Sequence, residues 1–249
     1  MSGDLVSLRM LVVAATPSEQ NVWRQGAALA SVPIDFDVVN AGQAAGKVLA
    51  KGGVDICVLD SRLPDADKDA VIKGARAVEP MPFVAVSAPQ GAARLEGSDG
   101  TLTKPTNPED ARKLVELCIR VKIPTRVLIV DDSGTIRSIV RKILLASRFA
   151  LDVHEVEEGI AALNLLRGGN FGMVFLDYNM PGLNGIETLS EIKRETPGVA
   201  VVMMTSQMDA ALADRARAAG ALAFLKKPFY PADIDAVLAR YYGLNATLN

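Results

Sequence analysis

The strongest constraint on what this 249-residue chain can fold into is that its pattern is written twice. Leu11-Val12-Val13-Ala14-Ala15-Thr16 has the same make-up as Leu128-Ile129-Val130-Asp131-Asp132-Ser133, and Cys57-Val58-Leu59-Asp60-Ser61-Arg62-Leu63-Pro64 the same as Val174-Phe175-Leu176-Asp177-Tyr178-Asn179-Met180-Pro181. Both matches lie 117 residues apart. Val86-Ser87 then matches Met204-Thr205 at a spacing of 118, and Lys104-Pro105 matches Lys227-Pro228 at 123. A repeat of this length means one architecture built twice, with the first copy shorter between its last two landmarks.

Each copy alternates short apolar runs with helical patterns. In the second copy the runs are Val127 to Val130, Leu151 to Val153, Met173 to Leu176, Val199 to Met204 and Ala221 to Leu225. Continuous runs bounded by polar residues or glycine suit strands covered on both faces of a parallel sheet. Between them, Ile136, Ile139, Val140, Ile143 and Leu144 form an apolar helical stripe. Gly220 ends a helix spanning Gln207 to Ala219, and Pro231 opens the last one. In the first copy Thr16-Pro17-Ser18-Glu19 reads as a capping box with proline at the first helical position, and Asn107-Pro108-Glu109-Asp110 starts the last helix in the same way. Two (βα)5 units with right-handed crossovers give two doubly wound α/β domains. The joint falls at Lys122-Ile123-Pro124-Thr125, which divides the chain into domains 1–123 and 124–249.

Composition narrows the function classes. A hydrophobic fraction of 49% supports two full cores, and a net charge of −2 with mixed signs offers no electrostatic footprint for nucleic acid or a membrane surface. No apolar run is long enough for a membrane span, and the start Met1-Ser2-Gly3-Asp4 has no signal-peptide pattern, so a cytoplasmic location is expected. The two cysteines, Cys57 and Cys118, stand in apolar surroundings without a metal-binding spacing and read as buried thiols. Trp23 reads as core of the first helix.

In parallel α/β sheets ligands bind beyond the carboxyl ends of the strands. In the second copy Asp131 and Asp132 end the first strand, Asp177 the third, Thr205 the fourth and Lys227 the fifth. Three carboxylates in one place repel one another, and a divalent cation relieves that repulsion. The set of motifs Val130-Asp131-Asp132-Ser133, Leu176-Asp177-Tyr178-Asn179-Met180-Pro181-Gly182, Met204-Thr205-Ser206 and Lys226-Lys227-Pro228-Phe229 resembles the CheY-like receiver domain of two-component response regulators, a flavodoxin-like fold.

The resemblance implies a phosphoacceptor, Asp177, and a Mg2+ site formed by Asp132, Asp177 and the Asn179 backbone carbonyl, with Asp131 assisting through water. It implies that Lys227 balances phosphoryl charge, that the Thr205 hydroxyl bonds a phosphoryl oxygen, and that Phe224 is the aromatic that follows Thr205 inward. Lys227 rather than Lys226 directly precedes the proline, as in the family. The donor is then a partner phosphohistidine, from a sensor histidine kinase or a histidine phosphotransfer protein. The only histidine of this chain, His154, lies in a strand and is not expected to react.

In the first copy Ala14 and Ala15 stand where Asp131 and Asp132 stand, while Asp60, Ser87 and Lys104 remain and Arg62 replaces Asn179. A single carboxylate is a poor Mg2+ site. Asp60 is expected to pair with Lys104 or Arg62, and domain 1–123 to be a degenerate receiver left with docking or dimerisation. Its fourth helix is expected to be truncated or disordered, because residues 88–103 are short and glycine-rich, and Thr101 takes the place of Phe224.

The expected function is a phosphorylation-controlled switch of protein contacts with an unnamed downstream target. With the chain ending at Asn249, the expectation is that a receiver surface carries the output and no separate output domain exists. Its only catalysis would be its own phosphorylation and dephosphorylation. A relay or phosphate sink between kinases is the alternative, and a phosphatase using Asp131 is disfavoured because Ser133 stands where its second aspartate would be.

Overall fold

The computed structural model describes residues 8–207 and 210–244. Cα proximity separates the described residues into two compact units, one of residues 8–122 with 242–244 and one of Ile123–Tyr241.

The first unit runs β1 (Leu8–Val13), α1 (Pro17–Ala28), β2 (Ile34–Val39), α2 (Gly42–Leu49), β3 (Ile56–Asp60), α3 (Asp65–Arg76), β4 (Phe83–Ala88), β5 (Gly100–Thr103) and α4 (Pro108–Lys122). The second runs β6 (Thr125–Val130), α5 (Gly134–Leu145), β7 (Leu151–Val156), α6 (Gly159–Gly168), β8 (Met173–Asp177), α7 (Gly185–Glu195), β9 (Ala200–Thr205), α8 (Ala210–Ala218), β10 (Ala223–Lys226) and α9 (Pro231–Tyr241). Every strand pairing is parallel, in the orders β2-β1-β3-β4-β5 and β7-β6-β8-β9-β10. The expected pair of doubly wound sheets is therefore present, and the chain reverses direction between β1 and β3 and between β6 and β8. That switch point opens a crevice at the strands' carboxyl ends.

The central strands β3, β4 and β8 are buried along their whole length, as unbroken apolar runs require. Helix starts follow local chemistry. Ser133 and Asn184 cap α5 and α7, the latter in a capping box with Glu187. Asn107 accepts the Asp110 N–H at 2.9 Å before α4. Gly220, at φ +93°, lies just beyond α8 as a left-handed stop. The start of the helix expected from Gln207 falls partly on residues 208 and 209, outside the described residues.

Three local expectations change. The α5 stripe is narrower than its sequence: Val140 and Leu144 are buried, but Ile139 is 48% exposed. At 100° per residue Ile139 lies well round the helix from the Val140–Leu144 centre, on the border of the apolar face. At α1, Thr16 accepts the Glu19 N–H as a cap should, but the Glu19 carboxylate binds the Thr16 hydroxyl at 2.9 Å and side chains from two other elements instead of closing the box. Between β4 and β5 there is no helix. The loop packs Ala92 and Leu95 onto the first core, and Asp99 anchors it by accepting the Val84 N–H and pairing with Arg76, both at 2.7 Å. In the second unit α8 fills this position.

Cys57 and Cys118 are fully buried, and burial pushes both thiols up to about 12, so they stay protonated. Trp23 is 3% exposed, in the core. His154 lies half-buried on β7, within 3.0 Å of Asp152 and edge-on to Phe171. Among the described residues no helix is long and apolar enough to cross a membrane.

Candidate functional site

The site residues of the second unit converge because parallel strands end together. β6 delivers Asp131 and Asp132, β8 ends on Asp177, and the turn after β10 carries Lys227. The Lys227 ammonium donates to Asp131 Oδ2 at 2.6 Å and to Asp177 Oδ1 at 2.8 Å, joining residues 96 and 50 positions away. The remaining oxygens are held by backbone: Asp131 Oδ1 accepts from Ser133 N at 3.0 Å, and Asp177 Oδ2 from Asn179 N at 3.1 Å. Gly185 lets the start of α7 approach β8. A Cβ there would lie 2.5 Å from the Asp177 carbonyl oxygen.

Asp131 and Asp177 are 1% and 5% exposed, whereas Asp132 is exposed. Burial pushes the Asp177 carboxyl up from its ordinary range. Lys227 pulls it back, Asp131 adds to the rise, and the Asn179 N–H lowers it again, with a net upward shift. Oxygens of Asp131, Asp132 and Asp177 lie within 4.8 Å of one another. Three carboxylates face one ammonium, an excess of two negative charges on hard oxygen donors, which fits a small divalent cation.

Lys226 is exposed at the end of β10, so the lysine beside the proline is the one that enters the cup. Thr205 is fully buried, and its hydroxyl is turned to its own turn, donating to the Gln207 carbonyl at 3.0 Å and accepting the Gln207 N–H at 3.2 Å. Phe224 is half-buried against the second core, in register with Met203. Asn179 is exposed at the rim.

The first unit closes differently. Lys104 again bridges two carboxylates, Asp60 Oδ2 at 2.6 Å and Glu19 Oε1 at 2.6 Å. Arg62 contacts Glu19 and lies 3.6 Å from Asp60. The pairing expected of Asp60 is present, and Glu19 joins it. Burial pushes the Glu19 carboxyl up, but the hydrogen bond and charge of Lys104, with the Thr16 hydroxyl, outweigh this and bring it down to about 2. Ala14 and Ala15 supply no oxygens. Sequence reasoning missed Glu19, whose position in the first turn of α1 carries only a capping signal.

One correspondence needs correction. The sequence pairs Ser87 with Thr205, but Asp60 is in register with Ser87 as Asp177 is with Met204. Lys104 N donates to the Ala88 carbonyl at 2.8 Å as Lys227 N donates to that of Thr205 at 2.7 Å. Ala88 therefore stands in the Thr205 position, with Val86 and Ala88 on the core face and Ser87 on the other. The constant spacing of 117 residues carried that signal, and the similarity of Ser to Thr masked it. Thr101, in register with Val86, does stand where Phe224 stands.

The response regulator receiver domain family matches residues 127–239. Chemotaxis protein CheY-3 of Vibrio cholerae is 34% identical over 119 residues, covering 47% of this chain and 91% of that protein. Two-component response regulator ORR11 of Oryza sativa subsp. indica is 37% identical over 120 residues, 47% of this chain and 80% of that protein. A solved probable two-component system response regulator/GGDEF domain protein superposes over 95% of this chain and 98% of its own with a TM-score of 0.56 at 20% identity, a likeness of fold across both sheets. With its acidic cup, its sheet order and relatives covered over 91% and 80% of their own length, this chain belongs to the response regulator receiver family of two-component signalling.

Proposed function

We propose that the second copy, 124–249, accepts a phosphoryl group on Asp177 from a partner phosphohistidine and that the first, 1–123, does not. The observation that carries this reading is the charge of the two cups. Asp131, Asp132 and Asp177 outnumber Lys227 by two, whereas Glu19 and Asp60 are matched by Lys104 and Arg62.

Asp132, Asp177 and the Asn179 carbonyl would hold Mg2+, with Asp131 assisting through water. Bound there, the ion would supply positive charge for the oxygens of the transferring phosphoryl group. Asp177 provides the attacking carboxylate oxygen. Its bond to phosphorus forms as the phosphorus–nitrogen bond to the donor imidazole breaks, with the electron pair left on the nitrogen. Lys227 holds Asp177 and Asp131 in place and lies ready to pair with the incoming phosphoryl oxygens. Thr205 exchanges its bond to Gln207 for one to the phosphoryl group, and Phe224 moves inward behind it.

The added charge alters the surface that a downstream protein reads. The donor is a sensor histidine kinase or a histidine phosphotransfer protein, the setting is the cytoplasm, and the first copy serves docking or dimerisation. Incubation of the full chain with labelled phosphohistidine donors and Mg2+ tests the reading. Label cleaved by base and by hydroxylamine, as an acyl phosphate is, should appear on the wild type and vanish in Asp177→Asn. Label that survives this substitution would refute it, and return of label to the donor histidine would favour a relay over a switch.

A further inference from the structure

The two lysines that follow β5 and β10 sit in the same geometry with different partners. Lys227 bridges two strand-end aspartates. Lys104 bridges one strand-end aspartate, Asp60, and a glutamate that comes from a helix. Glu19 lies six residues beyond Val13, the end of β1, so the chain has left the strand and entered the first turn of α1 before this carboxylate appears. A glutamate side chain is long enough to return to the lysine. The position that corresponds to Glu19 in the second unit is Ile136, 117 residues on, which carries no charge.

We propose that Glu19 is a positioning residue that replaces, from the helix, the carboxylate lost at Ala14 and Ala15, and so locks the first unit in one state that neither a divalent cation nor a phosphoryl donor changes. Four observations support this lock. The network is charge-balanced, since Glu19 and Asp60 face Lys104 and Arg62, so a cation entering the cup would find no net negative charge. Asp60 Oδ2 lies 2.6 Å from Lys104 and 3.6 Å from the Arg62 guanidinium, a second cation where Asp177 pairs with Lys227 alone among the described residues. Ala88 removes the hydroxyl that would sense a phosphoryl group, because it occupies the Thr205 position. Finally, the β4–β5 connection has no helix to move; its loop is pinned by Arg76 and Asp99.

The proposal deepens the reading that the first copy takes no phosphoryl group. Trp23, the only tryptophan, is buried on α1 one helical turn after Glu19 and reports the first unit alone. The test uses the full chain carrying Asp177→Asn, with Glu19→Gln, Lys104→Gln and the pair added to it, followed by Trp23 emission in urea and in millimolar Mg2+. We expect each single substitution to lower the urea midpoint and the double variant to lose no more than the worse single. We also expect Mg2+ to leave the emission unmoved unless Lys104 alone has been replaced, which leaves Glu19 and Asp60 against Arg62. Glu19→Asp, too short to reach, should behave as Glu19→Gln and serves if the latter fails to fold. Additive losses, with Asp60 unlabelled, would overturn the lock alone. Phosphoryl label on Asp60 of the Asp177→Asn protein would overturn the underlying reading as well.

Discussion

Asp60 and Ser87 are in-register partners across β3 and β4, which places Ser87 in the position of Met204 and one residue short of the position Thr205 occupies. The Ser87 hydroxyl is buried and makes no hydrogen bond among the described residues. A buried hydroxyl without a partner loses its water for nothing in return. Ser87→Ala should therefore leave the first unit as stable or raise its stability by up to about 1 kcal/mol. Urea denaturation followed by Trp23 emission measures this, and a loss of stability would contradict the absence of a partner.

Lys227 holds two buried carboxylates, so its removal acts on both. Lys227→Ala should destabilise the second unit by about 3 kcal/mol without Mg2+, the cost of leaving buried charges unpaired. Added Mg2+ should recover part of it, and phosphoryl uptake should fall on the order of a hundredfold as a charge clamp is lost. Thermal unfolding by circular dichroism with and without Mg2+ separates the two effects. An unchanged midpoint would mean that Lys227 does not carry the cup.

The Glu19 network predicts an acid response of the first unit. The carboxyl lies at about 2 in the folded chain against its ordinary 4.5, held down by Lys104 and the Thr16 hydroxyl with Arg62 in contact. A lowered folded value means that the contribution is whole above 4.5 and is lost as pH falls through 2. Wild type should be more stable than Glu19→Gln at neutral pH, and the gap should close across that acid window. Urea midpoints read by Trp23 at a series of pH values check it; a gap independent of pH would remove the ionic basis.

Gly185 permits an approach that no other residue allows. An added Cβ would meet the Asp177 carbonyl at 2.5 Å and Tyr178 Cα at 2.7 Å, both backbone atoms that cannot move alone. Gly185→Ala should cost about 1–3 kcal/mol through overpacking and displace the β8 end that carries Asp177, lowering phosphoryl uptake. Parallel measurement of unfolding and labelling tests this, and a variant with wild-type values in both would show that α7 can shift freely.

Much of the site was legible because the features that build it are local. Apolar runs mark strands, and a polar residue directly after such a run in a parallel sheet must stand at the crevice. Asp131, Asp177 and Lys227 could be named on that ground, and the structure brings them within hydrogen-bonding distance. The roles within the acidic set were less legible. Asp131 emerges as the buried partner of Lys227 and Asp132 as the exposed carboxylate, because alternation along the chain sends neighbouring side chains in different directions.

The sequence by itself determined that the chain is two doubly wound parallel α/β units and that only the second keeps a full set of strand-end acids, since both follow from residue type and spacing along the chain. Tertiary structure alone decided that Ala88 rather than Ser87 stands in the switch position and that Glu19 completes the first cup. The reason is physical. Register is a relation between strands, and the reach of a helix side chain to a lysine 85 residues away depends on how α1 packs, so neither is encoded in any local stretch of residues.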